Sequence, residues 1–156
     1  MKAKVLFIAL IVIGLGLTAI STTNNDPVIV KNSGISFSQV LQDDDADAKY
    51  PLGANIYKTK CIACHQATGE GMPGVFPPLK GSDYLFADKV RAVTQVLNGS
   101  NEEMLVNGVS YTMPMTPQVD TKEDAVAVIN YVLNSWGNDG GTVTIEEVKD
   151  VKIIRE

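Results

Sequence analysis

Both cysteines and the only histidine of this 156-residue chain lie within five positions, Cys61-Ile62-Ala63-Cys64-His65. On a helical turn, positions i, i+3 and i+4 share one face, so all three side chains can reach the same group. The pattern is C-x-x-C-H, the attachment motif of a c-type haem. The two thiols add across the haem vinyl groups as thioethers, and the imidazole binds the iron from one side. Other readings of the five residues meet obstacles. A structural zinc site ordinarily takes four Cys and His ligands, and the chain holds three. A thioredoxin-like redox pair calls for a βαβ setting, whereas the flanks here read as helix and Gly/Pro-rich loop. A buried structural pair beside an unrelated histidine is the remaining alternative. One such motif in the chain means one haem c per chain, held covalently through Cys61 and Cys64.

The N-terminus bears on where this chemistry takes place. Lys2 and Lys4 precede an uncharged apolar run from Val5 to Ile20, and Ala19-Ile20-Ser21 supplies the small residues of a cleavage site. Residues 1–21 read as a cleaved signal peptide, with a retained membrane anchor through residues 5–20 as the alternative. Either reading delivers the remainder to the bacterial periplasm, soluble or held at the inner membrane. Residues 22–49 are polar, with the acidic run Asp43-Asp44-Asp45-Ala46-Asp47, and read as a linker. The chain has 13 basic and 18 acidic residues, which argues against nucleic-acid binding. The negative charge suits either a redox partner with a positive docking patch or simple solubility.

Order is expected from about Pro51, at a favoured first helical position. Leu52 to Cys61 should be a helix running into the motif, with Gly53 and Tyr57 on one face. Gln66 to Gly81 holds Gly69, Gly71, Gly74, Pro73, Pro77 and Pro78, and is irregular despite its apolar Met72, Val75, Phe76 and Leu79. Such a loop must cover something apolar, either a haem face or the protein core. A short turn at 82–86 and a helix over 88–98 follow, the latter with a Val90, Val93, Leu97 face and Gly99 as its stop. Asn107-Gly108 predicts a hairpin over 104–111. Thr121 caps a helix striped by Ala125, Val128, Ile129, Val132 and Leu133. Thr144 and Glu147 form a capping box for a short helix in the tail, residues 138–156.

Residues 50–137 thereby resemble the class I c-type cytochromes in the order of their elements. The resemblance implies an all-α cytochrome c fold, with crossed N- and C-terminal helices around one covalent haem and a small β-hairpin. It implies that Gly53 and Tyr57 meet Val128 and Tyr131 where the helices cross. It also implies that Pro77 and Leu79 are the family's P-x-L, the proline carbonyl accepting the His65 ring N–H. Phe76 and Tyr111 are further haem contacts on this reading. The second iron ligand is a Met in the loop before the last helix. Met115 fits the loop spacing, and Met113, which precedes Pro114, is the alternative. Met72 is read as a packing residue and Met104 as part of the hairpin core. The segments Gly74–Ser82 and Asn134–Asn138 look like haem domains associated with copper nitrite reductases or quinoprotein dehydrogenases. The implied function is one-electron transfer between periplasmic or membrane redox partners, among them nitrite reductase, a terminal oxidase or a quinoprotein dehydrogenase. The protein is then a carrier rather than an enzyme. A haem site binding small ligands or peroxide is the rival reading and requires the Met to be absent or easily displaced. An anchored subunit docked on a larger reductase or oxidase is compatible with electron transfer.

Overall fold

A computed structural model of the chain describes residues 45–154. The predicted leader (1–21) and residues 22–44 of the predicted linker lie outside the described residues. The final five residues of that linker are not extended. Asp45–Lys49 forms a helix, α1, whose Ala46 is buried in the core. Asp47 pairs with Lys58. One alanine among four acidic residues gives the segment its anchor, and the acidic composition conceals it.

The expected helix before the motif divides into three pieces: α2 (Pro51–Ile56), a π-helical turn (Tyr57–Cys61) and α3 (Ile62–His65). In the π turn the Ile62 N–H donates to the Tyr57 carbonyl, five residues back. Such wide turns occur mostly as single-turn insertions in α-helices, often at functional sites. The Thr59 hydroxyl donates to the Asn55 carbonyl at 2.9 Å, within the same stretch.

Next come α4 (Asp83–Ala87), capped by the Ser82 hydroxyl, and α5 (Lys89–Asn98), capped by the Asp88 carboxylate. The buried face of α5 is Ala92, Val93 and Leu97, while Val90 is exposed. Strands β1 (Met104–Val106) and β2 (Val109–Tyr111) pair antiparallel, with Met104 opposite Tyr111 and Val106 opposite Val109. Asn107 and Gly108 both take positive φ, +50° and +79°, as a type I′ turn requires. Met104, Val106 and Tyr111 form their own small core under the hairpin. The last helix, α6 (Lys122–Leu133), is capped by Thr121 and buries all five positions of the expected stripe.

Helices α2 and α6 meet backbone to backbone. A Cβ on Gly53 would lie 2.2 Å from the Ala127 carbonyl oxygen and 2.7 Å from Tyr131 Cβ. Only a glycine permits that approach. Beside it Tyr57, Tyr131 and Trp136 pack together, Tyr57 with its ring centre 5.5 Å from that of Tyr131 and 4.9 Å from that of Trp136.

The tail corrects one expectation. Its capping box forms, with the Thr144 N–H on Glu147 Oε2 at 2.7 Å and the Glu147 N–H on Thr144 Oγ1 at 3.3 Å. The residues that follow make i→i+3 turns, not an α-helix. Val143 and Val148 are buried in the main core, and Asn130 holds the Val143 backbone through both N–H and C=O. Anchoring at these two valines and the β-branched run disfavour a regular helix there.

Candidate functional site

The motif residues face a cleft of about 960 Å³, a volume that includes the space open to solvent. Cys61, Cys64 and His65 line it together with Pro77, Leu79 and Met115. Helical geometry brings the first three to one wall. Cys61 and Cys64 are both free, partly buried thiols. Burial, followed by the neighbouring Cys64, pushes the Cys61 thiol up to about 11, so it stays protonated at neutral pH.

The loop after the motif is irregular in outline but well fastened. The Gly71 N–H donates to the His65 carbonyl at 3.0 Å, and Leu79 and Lys80 both donate to the Gly69 carbonyl. Met72 and Phe76 exchange backbone bonds at 2.8 Å across a tight bend. This arrangement brings the Pro77 carbonyl to His65 Nδ1 at 2.9 Å. A carbonyl only accepts, so Nδ1 carries the proton. Burial lowers the imidazole pKa below its ordinary value, against the opposing effect of the Pro77 bond, and the ring is neutral. Its Nε2 lone pair is then available to a metal, in the oriented form typical of ligating histidines.

Met115 reaches the cleft from the loop between β2 and α6. Its backbone pairs with Ser100 in an isolated bridge. Three residues expected at the haem are not part of the cleft wall. Met113 is 49% exposed. Tyr111 is committed by strand register to the hairpin core, opposite Met104. Phe76 sits at the bend with Met72. Met72, expected to pack, is 45% exposed.

The sequence reading missed a polar group in the same cleft. Tyr84, Arg91 and Gln95 line it, Arg91 and Gln95 standing one turn apart on α5. The Arg91 guanidinium lies 3.6 Å over the Tyr84 ring and donates through Nη2 to the Tyr84 carbonyl. Its Nε is buried without a hydrogen-bond partner. The i, i+4 placement of an Arg and a Gln beside the apolar face of α5 was the available signal.

This donor set fits a haem c. Two thiols and a neutral, oriented imidazole share one wall, a thioether lines the same cleft, and a partly buried guanidinium whose buried Nε–H is unpaired suits a carboxylate-bearing group.

Comparison with known proteins agrees. The cytochrome c family profile matches residues 51–136. Cytochrome c-552 of Thermus thermophilus is 34% identical over 111 residues, covering 64% of this chain and 83% of that one. The cytochrome c subunit of the quinone alcohol dehydrogenase of Gluconacetobacter polyoxogenes is 27% identical over 103 residues. The fructose dehydrogenase cytochrome subunit of Gluconobacter japonicus is 29% identical over 109 residues. In each of these last two the match spans 22% of the relative's own length. The motif, the mostly helical fold with its small hairpin and the family match converge: the chain belongs to the cytochrome c family and is a haem electron carrier.

Proposed function

We propose that this is a monohaem carrier in which His65 and Met115 would hold the iron. The reading is carried by one observation: Cys61, Cys64, oriented neutral His65 and Met115 all line one cleft, while Met113 is at the surface. The bound haem supplies a one-electron couple, Fe(II)/Fe(III). Cys61 and Cys64 fix the group covalently. His65 presents Nε2 because Pro77 occupies its other nitrogen. Met115 contributes a soft thioether, which favours the reduced metal and raises the potential. Arg91 offers its unpaired Nε–H to a haem carboxylate. Leu79, Val128, Ile129 and Val132 line the cleft with apolar surface and restrict water. With His65 and Met115 both holding the iron, the site would leave no open position for a substrate.

The partner is a redox protein. The dehydrogenase cytochrome subunits among the relatives support a quinoprotein dehydrogenase as the class of donor. The N-terminal pattern supports a periplasmic setting. The ligand assignment is tested by near-infrared absorption of the oxidised holoprotein, where Met–Fe(III) ligation gives a weak band. Met115→Ala should abolish the band and lower the potential, and Met113→Ala should leave both intact. Loss of the band in Met113→Ala alone would reverse the assignment. A band that survives the double mutant would take the ligand role from both methionines, and absence of the band from the unaltered protein would refute His/Met ligation.

A further inference from the structure

We infer that Gly99 and Ser100, just after α5, are positioning residues that hold Met115 at the cleft. The inference rests on Met115 being the iron ligand. Ser100 and Met115 exchange two backbone hydrogen bonds, each 2.8 Å, and pair as a two-residue antiparallel bridge. The Gln118 N–H donates to the Val96 carbonyl at 2.9 Å, fastening the same loop three residues further on. The methionine segment is therefore laid along the end of α5. All three bonds run between backbone groups, so they fix the path of the loop whatever its side chains do.

Gly99 makes that path possible. Its φ is +80° and its ψ is −177°. That combination falls in a region open essentially to glycine alone. An ordinary glycine helix stop is left-handed in both angles. Here ψ is extended instead, which turns the chain out of α5 and presents Ser100 edge-on to Met115. The site is also too tight for a side chain. A Cβ at Gly99 would meet the Met115 carbonyl oxygen at 2.5 Å and Pro117 Cδ at 3.1 Å. The nearer atom is the backbone of the ligand residue itself and cannot rotate away. A methyl group at position 99 pushes Met115 directly.

The test compares Gly99→Ala with Gly108→Ala in the holoprotein. Gly108 also has positive φ, +79°, but open space around it, so its variant carries backbone strain without the contact. Gly99→Ala should weaken or abolish the near-infrared band. It should also tighten binding of added imidazole by about tenfold, equivalent to about 1.4 kcal/mol. Gly108→Ala should change neither. If Gly99→Ala matches wild type while Met115→Ala loses the band, the positioning role is wrong and the ligand assignment stands. If Met115→Ala keeps the band, the ligand assignment itself fails. Equal effects of the two glycine variants would reduce Gly99 to a matter of general stability and overturn the proposal. A measurement on the unaltered protein covers the case of a variant that does not fold. The Ser100 and Met115 amides should be protected from hydrogen exchange, and fast exchange at both would overturn the clamp.

Discussion

Gly53→Ala puts the α2–α6 contact to a direct test. In an unconstrained helix the change is favourable by about 1 kcal/mol, because alanine gives up less backbone freedom on folding. Here the new Cβ arrives 2.2 Å from the Ala127 carbonyl oxygen, and contact with Tyr131 Cβ is little better at 2.7 Å. Comfortable separations are about 3.5 Å, so one helix must retreat by roughly 1 Å. Overpacking costs about 1–3 kcal/mol, and the upper end applies because the obstructing oxygen is backbone. The retreat also loosens the packing of Tyr57 on Tyr131. Setting about 3 kcal/mol against about 1 leaves a net loss of about 2 kcal/mol. For a domain of this size that lowers the midpoint by roughly 10 °C. Urea unfolding of the holoprotein followed by circular dichroism measures it. Leu52, the neighbouring position, is exposed. Leu52→Ala should therefore stay within about 0.5 kcal/mol of wild type. A Gly53→Ala protein as stable as wild type, or more so, would show that the close approach is loose and that helix propensity governs the site.

Three further outcomes follow from separate features. Covalent attachment through Cys61 and Cys64 should make the haem resist acid acetone, and the double Cys→Ala protein should release it; full release from the unaltered protein would remove the basis for a haem c. Burial works against ionisation of Asp47, but hydrogen bonds from Lys58 and Tyr131 and the Lys58 charge outweigh it and hold the carboxyl below its ordinary value. A lowered carboxyl stabilises the fold above its unfolded pKa and loses that contribution as pH falls through the folded value, so Asp47→Asn should be the less stable protein at pH 7, by under about 1 kcal/mol for so exposed a partner, with the gap closing as the carboxyl is protonated. N-terminal sequencing of native protein should begin near Thr22, and recovery of intact Lys2 in the membrane fraction would establish a retained anchor instead.

What was legible in the sequence follows a physical division. Features written in local chemistry could be read: the five-residue motif, the Asn107-Gly108 turn, the Thr121 cap and the apolar stripe of α6. Features set by tertiary contact could not. The π turn at Tyr57–Cys61 leaves no trace in hydrophobic periodicity, because one wider turn shifts no long pattern. Ala46 carries too little apolar surface to mark α1 against its acidic neighbours. The Thr144–Glu147 capping box was real, yet the turns after it are governed by burial of Val143 and Val148. Met115 and Met113 are nearly equivalent as sequence, whereas in the structure Met115 lines the cleft and Met113 is exposed. Arg91 and Gln95 were overlooked because an Arg on a short amphipathic helix usually means a solvated face.

The orientation of His65 shows how far such tertiary contacts reach. Its ring is set by the Pro77 carbonyl, and that carbonyl by a loop whose Gly69 oxygen accepts from both Leu79 and Lys80. Gly69 in turn lies against the indole of Trp136, where a Cβ would come within 2.4 Å of the ring. The indole N–H donates to the Ala67 carbonyl at 2.9 Å, and the Tyr57 hydroxyl donates to the Gln66 carbonyl at 2.7 Å. Tyr57 and Trp136 pack on each other and on Tyr131, the residue that meets Gly53. The contact between α2 and α6 and the hydrogen bond that orients the histidine are therefore ends of one continuous set of contacts. The two residues of that set that grip the start of the loop do so through the polar edges of aromatic rings, the Tyr57 hydroxyl and the Trp136 indole N–H. Phenylalanine at either position could fill the aromatic cluster but would lose the side-chain hydrogen bond to the loop. The aromatic residues at the helix contact thus serve the site as well as the core.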